Sequence, residues 1–172
     1  QEFNLFADQA QNEIFDQYFY DLNQFSRNNT SAEEFADMTS YIQEKISVFK
    51  RTGTNVNPGN LHPGLYKLGT VWTSANRVAE EVTYERLLLM KKSKLLTPRA
   101  IQPVYTRRNQ HITIHPDDEV TNFTYEYIKQ PDKPSWTYVV VNGKAMYDPN
   151  NSSLRDFELH HSEENELVYK IL

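Results

Sequence analysis

The last third of the chain constrains the fold most, because aromatic and β-branched residues are arranged there around a strong turn signal. Residues 136–141 end in three consecutive valines, and Asn142-Gly143 separates them from residues 144–147. Both central residues of a type I′ turn need a positive φ, which Asn and Gly adopt readily. The sequence therefore predicts a β-hairpin here, preceded by a strand whose aromatic residues alternate over 123–128.

The first fifty residues predict two amphipathic helices. The apolar positions of the first helix recur at steps of three and four, which places them on one stripe of a 3.6-residue period. This stripe consists of Phe6, Ala10, Ile14, Tyr18, Leu22 and Phe25. Ser31 and Glu34 have the spacing of a capping box, and the second stripe consists of Phe35, Met38, Ile42, Ile46 and Phe49. Two such helices joined by a short polar loop are expected to pack as an antiparallel hairpin.

The segment after the helices predicts a loop followed by a strand. Residues 51–60 contain most of the turn-forming residues of the chain and no apolar period, so we expect a loop. Residues 64–74 predict a strand with Tyr66 and Leu68 on one face.

The rest of the chain predicts two helices and another hairpin. Thr83 is expected to cap a helix that runs through Leu96, with lysines near the end that suit the helix dipole. Residues 103–116 predict a hairpin that turns at residues 108–110, and Ser162 is expected to cap a final helix.

Together these elements predict an α+β fold. An N-terminal helical hairpin and further helices would pack on an antiparallel β-sheet with β-hairpins. We expect residues 1–52 to form the helical hairpin and residues 53–172 to form the sheet and helix part of the same domain.

Composition excludes several classes of protein. No run approaches the roughly 18 apolar residues of a transmembrane helix, so no membrane partner is expected. The chain lacks cysteine, which removes disulfides and thiolate metal sites. Its net charge of −5 disfavours tight binding to bare duplex DNA. The chain begins at Gln1 rather than at a methionine, so we expect a fragment whose ends were trimmed or not seen.

Catalytic and metal-binding patterns are weak. His111, His115, Asp117, Asp118 and Glu119 gather metal-ligating side chains. On a strand, however, the two histidines would lie about 13 Å apart at ~3.3 Å per residue, too far to bind one ion directly. The chain has no nucleophile elbow and no glycine-rich phosphate loop. We therefore expect neither an enzyme nor a cofactor or metal site.

Two groups of residues are candidates for contacts with partners. The aromatic group consists of Phe15, Phe19 and Tyr20, which lie off the first stripe, together with Trp136 and Tyr138. It is interpreted either as a subunit interface or as a larger intramolecular core, and the sheet aromatics could also stack on sugars or bases. The basic group consists of Lys91, Lys92, Lys94, Arg107 and Arg108. It fits a solvated face, a subunit contact or phosphates.

Several segments give the chain a family resemblance. They are the helix at residues 3–15, the strand beginning Leu65-Tyr66-Lys67-Leu68, the helix start at residues 80–85, the strand at residues 102–105, the segment 127–136 and the Asp156-Phe157-Glu158-Leu159 sequence before a Glu-rich helix. Over nearly the whole chain, this order resembles virion structural proteins of crAss-like and related tailed bacteriophages, in particular neck and connector proteins. These motifs are aromatic and turn signatures, so they assign no catalytic residue.

The resemblance implies an architectural role. It implies a non-enzymatic head-to-tail connector subunit in a ring of about twelve copies, which links the portal protein to the tail or to neighbouring ring proteins. The ring would surround the DNA channel, touch the passing DNA only non-specifically, and be assembled in the host bacterial cytoplasm before residing in the neck or tail region of the virion. The alternative function is a carbohydrate- or protein-binding module of a phage tail that uses an aromatic sheet face.

Overall fold

The computed structural model describes residues 2–27, 32–148 and 150–172, except for the side chains of residues 26–36 and 145. These ranges contain four α-helices, a seven-stranded sheet and a two-stranded sheet, so the predicted α+β class is confirmed. The chain divides into two compact units. The helical unit consists of Gln1–Phe49 and Pro131–Leu172, and the sheet unit consists of Lys50–Gln130. The predicted ranges 1–52 and 53–172 differ from this division, because the segment after Gln130 belongs with the first helices.

The secondary-structure elements follow in chain order. They are α1 (Glu2–Arg27), α2 (Ala32–Ser47), β1 (Lys50–Val56), β2 (Gly59–Asn60), β3 (Leu65–Thr73), β4 (Val78–Glu81), α3 (Tyr84–Lys92), β5 (Val104–Arg108), β6 (His111–His115), β7 (Asn122–Lys129), β8 (Tyr138–Val141), β9 (Lys144–Tyr147), a 3₁₀ turn (His161–Glu163) and α4 (Glu164–Ile171).

The helical unit contains α1, α2, α4 and the β8–β9 hairpin. Ala10, Ile14 and Tyr18 of the first predicted stripe are buried, but Phe6 is 54% exposed and its expected burial is wrong. The buried face of α1 instead includes Ala7, Gln11 and Phe15, because α1 contacts both α2 and α4. A helix with two neighbours buries a wider face than one stripe.

The second stripe is confirmed where its side chains are described, with one exception. Ile42, Ile46 and Phe49 are buried, whereas Met38 is 45% exposed. The predicted Ser31 cap and the Phe35 side chain lie outside the described residues. Beside this stripe, Lys45 forms an ion pair with the buried carboxylate of Glu163, which ties α2 to the start of α4.

The sheet unit is a seven-stranded sheet with the order β1-β7-β3-β4-β5-β6-β2. The expectation of a wholly antiparallel sheet needs one correction, because β4 and β5 pair in parallel. Only Asn57 and Pro58 separate the two end strands, β1 and β2, in sequence. The sheet must therefore curl until its ends approach each other, as strand twist allows. Its inner face buries one core, which consists of Leu61, Val71, Ala79, Tyr105, Ile112, Ile114, Val120, Phe123, Tyr125 and Tyr127.

The predicted loop at residues 51–60 is wrong, because it contains β1 and β2. All seven residues of β1 pair with β7, and β1 is largely exposed at the end of the strand order. An edge strand held by backbone hydrogen bonds needs no apolar alternation, so the sequence carried no strand signal there.

The expectations for β3 and for the end of α3 also need correction. In β3 the buried residues are Val71 and Thr73 rather than the face of Tyr66, because register irregularities relative to β7 interrupt the alternation. Thr83 caps α3 as predicted, but the helix ends at Lys92 and Ser93 starts a hydrogen-bonded turn.

At the C-terminal end, Ser162 lies inside the 3₁₀ turn rather than at a helix cap. The turn is capped by His160, whose side chain accepts a hydrogen bond from the Ser162 N–H. The cap at this end of the chain is therefore His160 rather than Ser162.

Candidate functional site

The β8–β9 hairpin exposes an unusually apolar surface. Asn142 and Gly143 have φ values of 52° and 76°, so the predicted turn is confirmed. The hairpin surface consists of Trp136, Tyr138, Val139, Val140, Val141, Met146 and Tyr147, each between 41% and 60% exposed. The two strands pair only with each other in the described part of the chain. A lone hairpin is marginally stable in water, and exposed apolar side chains on both of its faces favour contact with another chain.

The base of this hairpin is fixed to α1 by Asn4. The Asn4 Nδ2 donates to the carbonyl of Trp136 at 3.3 Å, and the Trp136 N–H donates to Asn4 Oδ1 at 2.9 Å. The ring of Phe3 meets Trp136 edge-on at 6.1 Å, and Trp136 stacks on Tyr138 at 5.7 Å. The aromatic side chains are therefore held in place while a large part of their surface remains exposed.

Gln11 extends this attachment to the chain around the hairpin. Its side chain is fully buried. It donates to the carbonyl of Asp132 at 2.8 Å and accepts from the N–H of Glu158 at 2.9 Å. One amide thus satisfies backbone groups on both sides of the hairpin, since a buried backbone group needs a partner.

The structure divides the predicted aromatic group. Phe15 is 2% exposed and packs edge-on against Phe19 and Phe49 at centroid distances of 5.1 and 4.9 Å. Phe15 therefore has intramolecular partners, as one of the two interpretations expected. Tyr20 is 58% exposed. Trp136 and Tyr138 are the members that lie together on an exposed surface, and whether they contact another subunit stays a prediction.

The basic group is also divided, although all of its members are exposed. Lys91 and Lys92 lie in the last turn of α3, and Lys94 lies beyond the end of the helix. Arg107 and Arg108 are neighbours on β5, so their side chains leave opposite faces of the strand. Only Arg108 joins the groove described next.

A polar groove lies on the outer face of the β5–β6 hairpin, with a volume of about 360 Å³. It is lined by Tyr84, Thr106, Arg108, His111, Thr113 and His115. The guanidinium of Arg108 lies 5.0 Å from the ring centroid of Tyr84, and the His111 Nδ1 lies 2.9 Å from Asn60 Oδ1. Burial and the nearby Lys91 ammonium lower the pKa of His115, and Asp117 partly opposes them.

The groove contains residues that the sequence did not single out. Its arginine was a candidate contact and its histidines were weighed as ligands, but Tyr84, Thr106 and Thr113 were missed. The predicted turn at residues 108–110 could have placed both threonines in the groove. A hairpin that turns there pairs Thr106 with Thr113 and Arg108 with His111. Among the described residues, no group of three His, Asp or Glu side chains is placed to hold a metal ion.

The sheet unit also has a hollow of about 360 Å³ near the end of α3, with a mixed lining that includes Glu80, Arg99 and Gln102. Four apolar residues of this lining, Val78, Leu95, Leu96 and Ile101, are between 61% and 90% exposed. These four side chains are a second set of exposed apolar residues, on a different unit from the hairpin surface.

The two units carry opposite charge. The helical unit has sixteen acidic and six basic residues, for a net charge of −10. The sheet unit has seven acidic and twelve basic residues, for a net charge of +5. The overall charge of −5 therefore conceals a strong division between the units.

Among the helices in the described ranges, none is both long enough and apolar enough to cross a lipid bilayer. Neither a scan against protein-family models nor a search of curated proteins finds a match for this chain.

Proposed function

We propose that the protein is an architectural subunit that assembles with other copies of itself into a head-to-tail connector ring of a tailed phage. The observation that carries the assembly is the hairpin surface, whose seven apolar residues are about half exposed although the base of the hairpin is fixed. Covering such a surface with another chain removes apolar area from water and completes the two-stranded sheet. An enzymatic role is not part of this proposal.

The division of charge supports a head-to-tail arrangement. A ring requires two different patches on each copy, because one patch that pairs with itself closes a dimer. Net charges of −10 and +5 favour contact between unlike units of neighbouring copies over contact between like units. The four exposed apolar side chains that line the hollow near α3 supply a second set of apolar contacts on the basic unit.

The position in the phage neck rests on the sequence resemblance. On that basis, the ring links the portal protein to the tail or to neighbouring ring proteins and surrounds the DNA channel. Mass spectrometry of purified virions tests this part of the proposal. The chain is expected among the virion proteins, and its absence from them would refute the connector role.

Assembly is tested with two matched valine variants. Val140 on β8 is 60% exposed and Val56 on β1 is 63% exposed, so an uncharged glutamine at either position meets solvent in the monomer. We expect wild type and Val56→Gln to form rings with one cyclic symmetry by electron microscopy, and Val140→Gln to remain smaller by light scattering. A monomeric wild type at all concentrations, or rings of Val140→Gln like those of wild type, would contradict the proposal.

The second candidate function is a carbohydrate- or protein-binding module of a phage tail. The exposed, stacked rings of Trp136 and Tyr138 favour it, because sugars bind on aromatic faces. A glycan array separates the two functions. Binding that is lost in both Trp136→Ala and Tyr138→Ala would support this module, and an array without any bound glycan would remove its carbohydrate version.

A further inference from the structure

We propose that the polar groove on the outer face of the β5–β6 hairpin binds a phosphate group. The groove lies in the sheet unit and shares no residue with the hairpin surface that carries the proposed assembly. The inference therefore stands independently of the proposed function.

Strand alternation builds the groove. The inner face of the hairpin carries Tyr105, Ile112 and Ile114, which are buried in the core of the sheet unit. The opposite face carries two cross-strand pairs, Thr106 with Thr113 and Arg108 with His111. Because neighbouring side chains leave opposite faces, the residues that fix the core also fix the spacing of these polar side chains.

The side chains that line the groove favour an oxyanion as the ligand. The lining supplies one guanidinium, two imidazoles, two threonine hydroxyls and one phenol, and it includes no carboxylate. A guanidinium over an aromatic ring, as Arg108 lies over Tyr84, keeps its planar edge available for two parallel hydrogen bonds to an oxyanion. Threonine hydroxyls can add neutral donors at the same site.

His111 fits the same ligand. The His111 Nδ1 faces the Asn60 Oδ1, which can only accept, so Nδ1 carries a hydrogen and Nε2 is the nitrogen left for a ligand. That nitrogen accepts from a protonated phosphate oxygen, or donates to the anion when the ring is an imidazolium.

Nearby charges favour an anion as well. Lys91 is close enough to His115 to act on its charge, and the sheet unit as a whole is basic. At the His115 end of the groove, a carboxylate oxygen of Asp117 lies 3.6 Å from His115 Nδ1. It offsets part of the positive potential there, so Arg108 and His111 at the other end of the groove are expected to make the main contacts.

Two adjacent arginines provide a matched test. Arg108 lines the groove, whereas Arg107 lines only the adjoining hollow with Glu81 and donates from Nε to the carbonyl of Asn109 at 2.8 Å. Titration of the full chain with inorganic phosphate, followed by amide chemical shifts in NMR, should perturb Thr106, Arg108, His111 and Thr113. Loss of one charged hydrogen-bond donor should weaken phosphate binding about tenfold or more in Arg108→Ala. Arg107→Ala should bind within about twofold of wild type.

A second arm identifies the source of the phosphate. A fluorescent single-stranded deoxythymidine oligonucleotide is titrated by anisotropy at low salt, with inorganic phosphate as competitor. Oligonucleotide binding that is lost in Arg108→Ala and displaced by phosphate would assign the groove to a nucleic-acid backbone. Binding of inorganic phosphate alone would assign it to a small phosphorylated ligand. Binding of neither probe, or equal weakening by the two arginine variants, would overturn the proposal, and circular dichroism confirms that both variants fold.

Discussion

Gly53 shows how a missing side chain permits a strand pair. It lies opposite Tyr125 in the β1–β7 ladder, and a Cβ atom added there would lie 2.5 Å from the Cζ of that tyrosine. The ring cannot move freely, because its hydroxyl accepts the N–H of His62 at 3.0 Å. We expect Gly53→Ala to lower the free energy of unfolding by on the order of 1–3 kcal/mol, as overpacking does.

The control is Gly64→Ala, because its added Cβ would meet only ordinary contacts, at 3.4 Å from the His62 ring. Urea denaturation of both variants measures the difference. Equal stabilities of the two variants would show that the tyrosine ring adapts at little cost.

His115 gives the stability of the sheet unit a dependence on pH. Its imidazole is buried, and burial together with Lys91 holds its pKa below the ordinary value of 6.5. The unfolded chain therefore binds a proton more readily than the folded chain as the pH falls below about 6.5. This histidine contributes stability above that pH, and the contribution is lost as the pH falls towards the folded pKa.

We expect the free energy of unfolding to decline as the pH falls below about 6.5, and the decline to be shallower in His115→Gln. His161→Gln, at an exposed position, is the control and should keep the wild-type slope. Urea denaturation at a series of pH values measures the slope. The same slope in all three proteins would exclude His115 as its source.

At the scale of elements, the sequence predicted the turns, caps and strands whose sequence pattern lies within the element itself. The Asn142-Gly143 turn, the Thr83 cap and the alternation of Phe123, Tyr125 and Tyr127 each depend on residues within one element, and each is confirmed. β1 was missed because its support is the backbone of β7, about seventy residues away in sequence.

The candidate site residues also divide into those that residue type alone suggests and those whose position depends on tertiary packing. Arg108, Trp136 and Tyr138 could be named from sequence, because residue type alone suggests contact. Burial of Phe15 could not be predicted, since it depends on where Phe49 packs beyond the end of α2. Tyr84 could not be placed in the groove, because its position depends on how α3 lies against the sheet.

The attachment of the C-terminal segment to α1 gives an element-scale prediction. Gln11→Leu keeps a side chain of similar size but leaves the carbonyl of Asp132 and the N–H of Glu158 without their amide partner. Each buried group left unsatisfied costs about 1–3 kcal/mol. We therefore expect a clear loss of stability and faster hydrogen exchange at Glu158.

Gln17→Leu is the matched control, because Gln17 is exposed on the same helix and bonds only the nearby Asp21 in the described contacts. It should change stability by less than about 0.5 kcal/mol. Equal effects of the two variants, measured by thermal unfolding and hydrogen exchange, would argue against a special role for Gln11.

At the scale of the whole molecule, the division of charge between the units is the property that sequence order conceals. Acidic residues dominate both ends of the chain and basic residues its middle, so the contrast appears only when the two ends are grouped into one unit. In the proposed ring, this contrast selects which surfaces meet, and apolar burial holds them together.

This division predicts that ring assembly weakens as salt is added. Raising the ionic strength from about 0.01 to 1 M shortens the Debye length from about 30 to 3 Å, which screens attraction between the units of neighbouring copies. A contact held by apolar burial alone would not weaken in this way. Sedimentation at a series of salt concentrations measures the effect.

Two charge reversals test which unit's charge controls assembly. Lys91→Glu in the basic unit should weaken assembly, whereas Lys133→Glu, an equal change in the acidic unit, should leave assembly unchanged or strengthen it. Equal weakening by both reversals would indicate that overall charge, rather than its division between the units, controls the contact.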